Sequence, residues 1–205
     1  MRMPRQVDHE GRRRLIAEAV CRLADERGLE GVTLRDVAAR AEVSMGAVQR
    51  CFATKDEMLL FALGYVGEAI GERVRARLVR SPAQSAASAL GHAATEVALL
   101  REEHRAEARV WLAFVAQAAV SAPLAETLRA NYAALHAAFA RLIAEACEGA
   151  GGPARLDPQR EAHAVLALAD GLTTHVLIGH LGPREAEEVL HAHLRGLWEG
   201  PAAGR

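Results

Sequence analysis

The stretch Thr33–Phe52, TLRDVAARAEVSMGAVQRCF, constrains this chain more than any other. It spells two short helices joined by a tight turn, the shape of a helix-turn-helix reader of DNA. Thr33 suits an N-cap, with Asp36 three residues on as a partial capping box, and Val37, Ala38 and Ala41 follow at helical spacing. Ser44 caps a second helix in which Val48, Cys51 and Phe52 recur at i, i+3 and i+4. This pattern buries Leu34, Val37, Ala38, Ala41, Val43, Val48 and Phe52 together and leaves Met45, Ala47, Gln49 and Arg50 facing outward. So short a helix is not stable alone and needs apolar support from its flanks.

The flanks supply it. Hydrophobic residues make up 51% of the 205, yet aromatics only 4%, and alanine dominates, which is the composition of an all-helical protein. The chain is long enough for one large domain or two small ones. No apolar run reaches membrane-spanning length, and the start, MRMPRQVDHEGRRR, lacks the apolar core of a signal peptide. Cys21, Cys51 and Cys147 form no CxxC pair and no disulfide framework, so a reducing cytoplasm is expected. The net charge of −1 argues against a general polyanion binder, but its distribution is uneven. Arg2, Arg5, Arg12, Arg13 and Arg14 face only Asp8 and Glu10 near the start.

Taken in order, residues 1–10 contain Pro4 and no apolar period, and are expected to form a disordered arm. From Arg12 to Arg27, Leu15, Ile16, Ala19, Val20 and Leu23 form one stripe, and Gly28 stops the helix. Thr54–Glu57 is a second capping box, opening a helix that runs to about Arg80 and spans roughly 40 Å at the standard rise. Ser81-Pro82-Ala83-Gln84 reads as the start of a helix to about Glu102, and another follows around Arg105–Val120. After Pro123 a long amphipathic helix ends near Glu148, and 149–156 form a Gly- and Pro-rich loop. Asp157-Pro158 starts a helix ending at Gly182, Pro183 starts the last, and 199–205 form a disordered tail. The expected fold is all-α with about nine helices, divided into a helix-turn-helix domain over 11–54 and a helical ligand-binding and dimerisation domain over 55–198.

The penultimate helix carries one ridge at Val165, Ala169, Leu172 and Val176 and a second at Leu166, Thr173 and Leu177. A helix apolar on two sides must be covered on two sides. The second ridge calls either for a neighbour in the same chain or for a partner. The latter predicts a homodimer through a four-helix bundle of the last two helices.

The residues quoted resemble the TetR family of one-component transcriptional regulators. That family's signature is an Arg-rich first helix, T-x-x-D-hydrophobic-A, A-G-V-S-x-G, aromatic-x-aromatic-Phe, and K-E/D-x-L. Here it reads Thr33–Ala38, Ala41–Gly46, Gln49–Phe52 and Lys55–Leu59. Glu42 stands where Gly is usual in the turn, Gln49 where Tyr is usual, and Cys51 where Tyr or His is usual. If left-handed, Glu42 costs about 1 kcal/mol relative to Gly. The resemblance implies a dimer placing two hairpins in successive major grooves of a palindromic double-stranded operator. Thr33 and Lys55 would hold phosphates at helix starts. Ser44, Met45, Ala47, Gln49 and Arg50 would form the base-facing helix, with Arg35 beside it; Gln49 suits adenine and Arg50 guanine or phosphate.

In WLAFVAQA and LADGL the C-terminal half loosely resembles the betaine-regulator type. The family architecture implies a small-molecule effector there, whose binding moves the long connector helix and releases DNA, with repression the usual mode. Candidate pocket residues interrupt the apolar interior: Trp111, Tyr132, His136, Asp170 and Thr174, beside Phe114 and Leu166. Asp170 needs a partner, whether a ligand cation or a protein group. Metal sensing through the nine histidines, a thiol switch at Cys51, and a helical dimerisation module with no DNA role are the competing readings. No HxxxH or HExxH spacing sets two histidines on one face beside a carboxylate, so no metal site is expected. No cofactor is expected either. GxSxG, the P-loop and the dinucleotide fingerprint are all missing, which argues against an enzyme.

Overall fold

The computed structural model describes residues 5–80, 85–150 and 156–199. Among them are nine α-helices and no strand: α1 (Arg5–Arg27), α2 (Leu34–Arg40), α3 (Met45–Cys51), α4 (Lys55–Arg80), α5 (Ala86–Val97), α6 (Arg105–Ala118), α7 (Ala122–Ala150), α8 (Pro158–Leu177) and α9 (Pro183–Glu199). A single 3-10 turn, Glu102–His104, precedes α6. The all-α expectation is met. No described helix is long and apolar enough to cross a membrane.

The chain forms two compact units. The first takes the described residues up to Ala69 together with Arg109–Arg129; the second takes Ile70–Ala108 and the described residues from Ala130 onward. In the first, Ile16, Val20, Val37, Val48, Phe52, Met58 and Leu63 form the buried centre around the hairpin. Gly28, at φ +73, closes α1 as its sequence predicts, since a side chain there would be strained. In the second, Leu90, Leu100, Phe139, Ile143, Val165 and Leu190 are fully or almost fully buried, drawn from α5, α7, α8 and α9.

Several boundaries differ from expectation, each for a local reason. α1 begins at Arg5, so the helix runs through residues expected to lie in a disordered arm. Leu15, counted in its apolar stripe, is 43% exposed; the buried face is carried by Ile16, Ala17, Ala19, Val20 and Leu23. Ser85, not Ser81, caps α5: its hydroxyl accepts from Ser88 N while Ser88 Oγ accepts from Ser85 N, a reciprocal box. Residues 81–84 lie outside the described residues, as do 151–155 in the expected Gly- and Pro-rich loop and 200–205 of the expected tail. α5 stops at Val97, before Leu99, which has φ 49. α8 stops at Leu177, because Gly179, at φ +74, turns the chain before Gly182 is reached. α7 runs to Ala150, past Glu148.

The second ridge of α8 is covered within the chain at Leu166 and Thr173, while Leu177 is half-buried. Leu166 is 6% and Thr173 4% exposed, and the Thr173 hydroxyl donates to the Ala98 carbonyl at 2.6 Å. Two apolar ridges on α8 therefore do not by themselves demand a partner.

Candidate nucleic-acid interface and effector region

The hairpin is built from its caps. At the start of α2 the Thr33 hydroxyl accepts from Asp36 N at 3.2 Å and donates to the Asp36 carboxylate at 2.6 Å. The carboxyl of Asp36 lies below its usual range, first because of that hydroxyl and then because of Arg27, 3.0 Å away. At the other end, Val43 N reaches the Ala38 carbonyl at 3.0 Å and Glu42 N the Ala39 carbonyl at 3.2 Å, the paired bonds of a Schellman turn. Such a turn demands one left-handed residue, and Glu42 occupies it at φ 55. Glu42 thus occupies a conformation that glycine adopts at no steric cost.

Ser44 then caps α3 by accepting from Ala47 N at 3.2 Å. Ala47, Val48 and Cys51 turn inward, while Met45, at 39% exposure, and the exposed Gln49 and Arg50 turn outward. Ala47 was expected on the outward face. It is 7% exposed, because it lies one turn before Cys51 and shares that residue's buried side. Its methyl is removed from the candidate reading surface. Thr33, Arg35 and Ser44 are exposed and Lys55 partly so. Thr54 Oγ1 accepts from Glu57 N at 3.1 Å and Glu57 Oε2 accepts from Ala53 N at 2.8 Å, so the first turn of α4, which carries Lys55, is fixed from both sides. Arg40 meets Glu26 through two bonds of 2.7 Å, tying α2 to α1 and holding the Glu26 carboxyl below its usual range.

One feature of this unit was missed in the sequence. Arg13, counted there among the N-terminal arginines, lays its guanidinium 4.7 Å from the ring centre of Phe52 and 4.4 Å from that of Phe61. Its only sequence signal is that it stands three and four residues before Ile16 and Ala17, which are buried.

The expected effector residues divide between the two units. Trp111, at 8% exposure, and the fully buried Phe114 belong to the first unit. Tyr132, His136, Leu166, Asp170 and Thr174 belong to the second. There the structure joins Tyr132 to Asp170: the phenol donates to Oδ2 at 2.6 Å, and Thr174 Oγ1 donates to the Asp170 carbonyl at 3.0 Å. Asp170 has a protein partner in the Tyr132 phenol. His136 is engaged differently, 2.9 Å from the Gln159 carbonyl and stacked on His163 with ring centres 3.8 Å apart. Leu166 is part of the core.

The sequence reading also missed a buried ionic group in the second unit. Glu96, 4% exposed, lies 3.7 Å from Arg73 and 3.6 Å from Arg101. Arg73 reaches Glu107 at 2.8 Å and Arg101 reaches Glu187 at 3.5 Å, so residues of α4, α5, α6 and α9 share one set of charges. Partners so far apart in sequence leave no local signature.

A capped helix-turn-helix with a polar outer face, followed by a larger helical region, defines a DNA-binding transcriptional regulator rather than an enzyme. Residues 16–61 match the bacterial regulatory proteins of the tetR family, and residues 86–199 match the C-terminal region of BetI-type transcriptional repressors. The protein belongs to the TetR family of transcriptional regulators, with a C-terminal region of the BetI type. Among relatives, it is 35% identical to the HTH-type transcriptional regulator PksA of Bacillus subtilis (strain 168), over 86% of this chain and 83% of that one. It is 29% identical to the HTH-type transcriptional regulator BetI of Burkholderia ambifaria (strain MC40-6), over 94% and 96% of the two chains. A transcriptional regulator from Rhodococcus sp. Rha1 superposes with a TM-score of 0.79 at 31% identity, covering 94% of this chain and 99% of that one. A transcriptional regulator from Saccharomonospora viridis, solved in complex with choline, gives 0.79 at 25% identity over 91% and 96%.

Proposed function

We propose that this regulator represses transcription in the cytoplasm by binding a palindromic operator as a homodimer, and leaves DNA when a small cation enters its C-terminal region. The observation that carries the DNA half is the outer face of α3, where Ser44, Met45, Gln49 and Arg50 stand exposed between two N-capped helix starts bearing Thr33 and Lys55. In this reading Gln49 and Arg50 address base edges, Ser44 and Met45 border them, and Thr33, Arg35 and Lys55 hold the backbone. Reading lies with 11–54, effector binding and dimerisation with 55–198. The dimer is assigned to α8 and α9. Ile178 and Val189 are 70% and 41% exposed there, and a Cβ built on Gly171 or Gly196 would meet nothing within 4 Å, leaving room for a second copy to approach.

For the effector, the support is Asp170 with Tyr132, a carboxylate and a phenol in an otherwise apolar helix face, together with the choline in the Saccharomonospora viridis neighbour. A quaternary ammonium suits both, pairing with the carboxylate and lying against an aromatic face. Thr174, His136 and Leu166, from the same unit, complete the proposed lining. The test selects a duplex from a randomised pool with the full-length protein, then measures its affinity by gel shift with and without choline, for the wild type and Asp170→Asn. Binding of a palindrome by a dimer, released by choline in the wild type and not in the variant, is the expected result. Recovery of no palindrome would overturn the reader, and indifference to choline would overturn the cation.

A further inference from the structure

Arg13 lies over the rings of both Phe52 and Phe61, whose centres are 5.4 Å apart. Its Nε is buried and makes no hydrogen bond, and its Nη2 is 3.8 Å from Glu57. Each contact leads to the reading hairpin. Phe52 is the C-cap of α3 and 1% exposed; Phe61 is on α4; Glu57 accepts from Ala53 N in the turn between them. A guanidinium is planar and weakly hydrated, so it can lie on two aromatic faces at once, as an ammonium on a flexible stem cannot do equally well.

We infer that Arg13 is a positioning residue for sequence discrimination: it fixes the rotation of α3 through Phe52 and Phe61 instead of contacting DNA. α3 is seven residues long and cannot hold its own orientation. A small rotation about its axis would carry Gln49 and Arg50 off their base edges while leaving the phosphate anchors at Thr33 and Lys55 in place. Arg13 therefore acts on the difference between the correct operator and other DNA, not on attraction to DNA in general. The inference rests on α3 being the base-reading helix.

The test uses the full-length protein, the duplex it selects from a randomised pool, and a scrambled duplex of the same composition. Wild type, Arg13→Lys, Arg13→Met and Phe61→Leu are each titrated over a range of salt, and their melting temperatures are recorded. Expected for all three variants is an affinity for the selected duplex about tenfold lower, worth about 1.4 kcal/mol. Affinity for the scrambled duplex stays within about twofold, and its salt slope is unchanged. Arg13→Met combined with Phe61→Leu should be no worse than either alone, since both remove one contact. Three results overturn the inference. A phosphate contact would weaken both duplexes alike, lower the salt slope by about 0.9 in Arg13→Met, and be rescued by Arg13→Lys. A general folding role would lower the melting temperature and the active fraction while leaving the ratio of the two affinities as in the wild type. Unchanged affinity for both duplexes would leave Arg13 no part in reading. Should Arg13→Met not fold, Phe61→Leu and Arg13→Lys still separate these cases. If the wild type itself selects no duplex, the reading of α3 fails, a result distinct from all three.

Discussion

The two units differ in how deeply their most buried carboxylates are held. Two ion pairs beside the hairpin are on the surface: Arg40 with Glu26 and Arg27 with Asp36 are all at least 32% exposed at the side chain. In the second unit Glu96 is buried between Arg73 and Arg101, and Asp170 is bonded to Tyr132 on the half-buried side of α8. Surface pairs cost little to make or break, whereas a buried carboxylate stripped of its partners, or the partners stripped of it, is strongly destabilising. The difference suits the division of labour. A unit that meets a polyanion can rearrange its surface charges on binding; one that holds helices in a fixed arrangement uses charges that cannot leave.

The sharpest way to break this comparison is Glu96→Ala, which should lower the unfolding free energy by about 3 kcal/mol. The urea midpoint of the second unit's transition would register it, and a loss under about 1 kcal/mol would reduce Glu96 to the standing of a surface pair. Next come the residues proposed to read bases and hold phosphates. Gln49→Ala should remove about 1–3 kcal/mol of discrimination at one operator position. Lys55→Ala should weaken all duplexes together and lower the salt slope by about 0.9, both read from gel shifts over a salt series. An effect of Lys55→Ala confined to one sequence would misplace it as a phosphate anchor.

Glu42→Gly should stabilise the protein by about 1 kcal/mol, because glycine takes the left-handed turn without strain. A rise in melting temperature of roughly 2–4 °C is the expected reading, with operator affinity unchanged. The smallest effect is assigned to Arg40→Ala. Since Arg40 holds the Glu26 carboxyl below its usual range, its stabilising effect is present above the ordinary glutamate range. It is lost as pH falls through the lowered value. The variant should therefore melt slightly below the wild type at neutral pH and low salt, and level with it in acid. A difference that grows in acid would contradict the assignment.

The helix hairpin was legible in the sequence because it is local. Thr33, Ser44 and Thr54 each cap the helix that follows within three residues, and Gly28 and Asp157 signal ends and starts in the same way. Even Glu42 stood out in advance, as a side chain where the turn asks for none. Side-chain facing was less legible. Ala47 and Leu15 sit at the edges of their helices' buried arcs, where one residue's rotation, about 100°, decides between core and water. Of the expected effector set, Tyr132 and Asp170 come together as bonded partners, while His136 pairs with His163 instead.

Composition and spacing by themselves determined that this chain is helical and where its strongest caps lie; the motifs of Thr33–Phe52 added a resemblance to the TetR family. These depend on interactions within one or two helical turns, whose partners are always near in sequence. Tertiary structure alone decided that Arg13 turns onto Phe52 and Phe61, that Glu96 is held by Arg73 and Arg101, and that Thr173 closes the second ridge of α8 against Ala98. Apart from Glu96 with Arg101, each joins residues far apart along the chain. Periodicity says which face of a helix must be covered, but not by what.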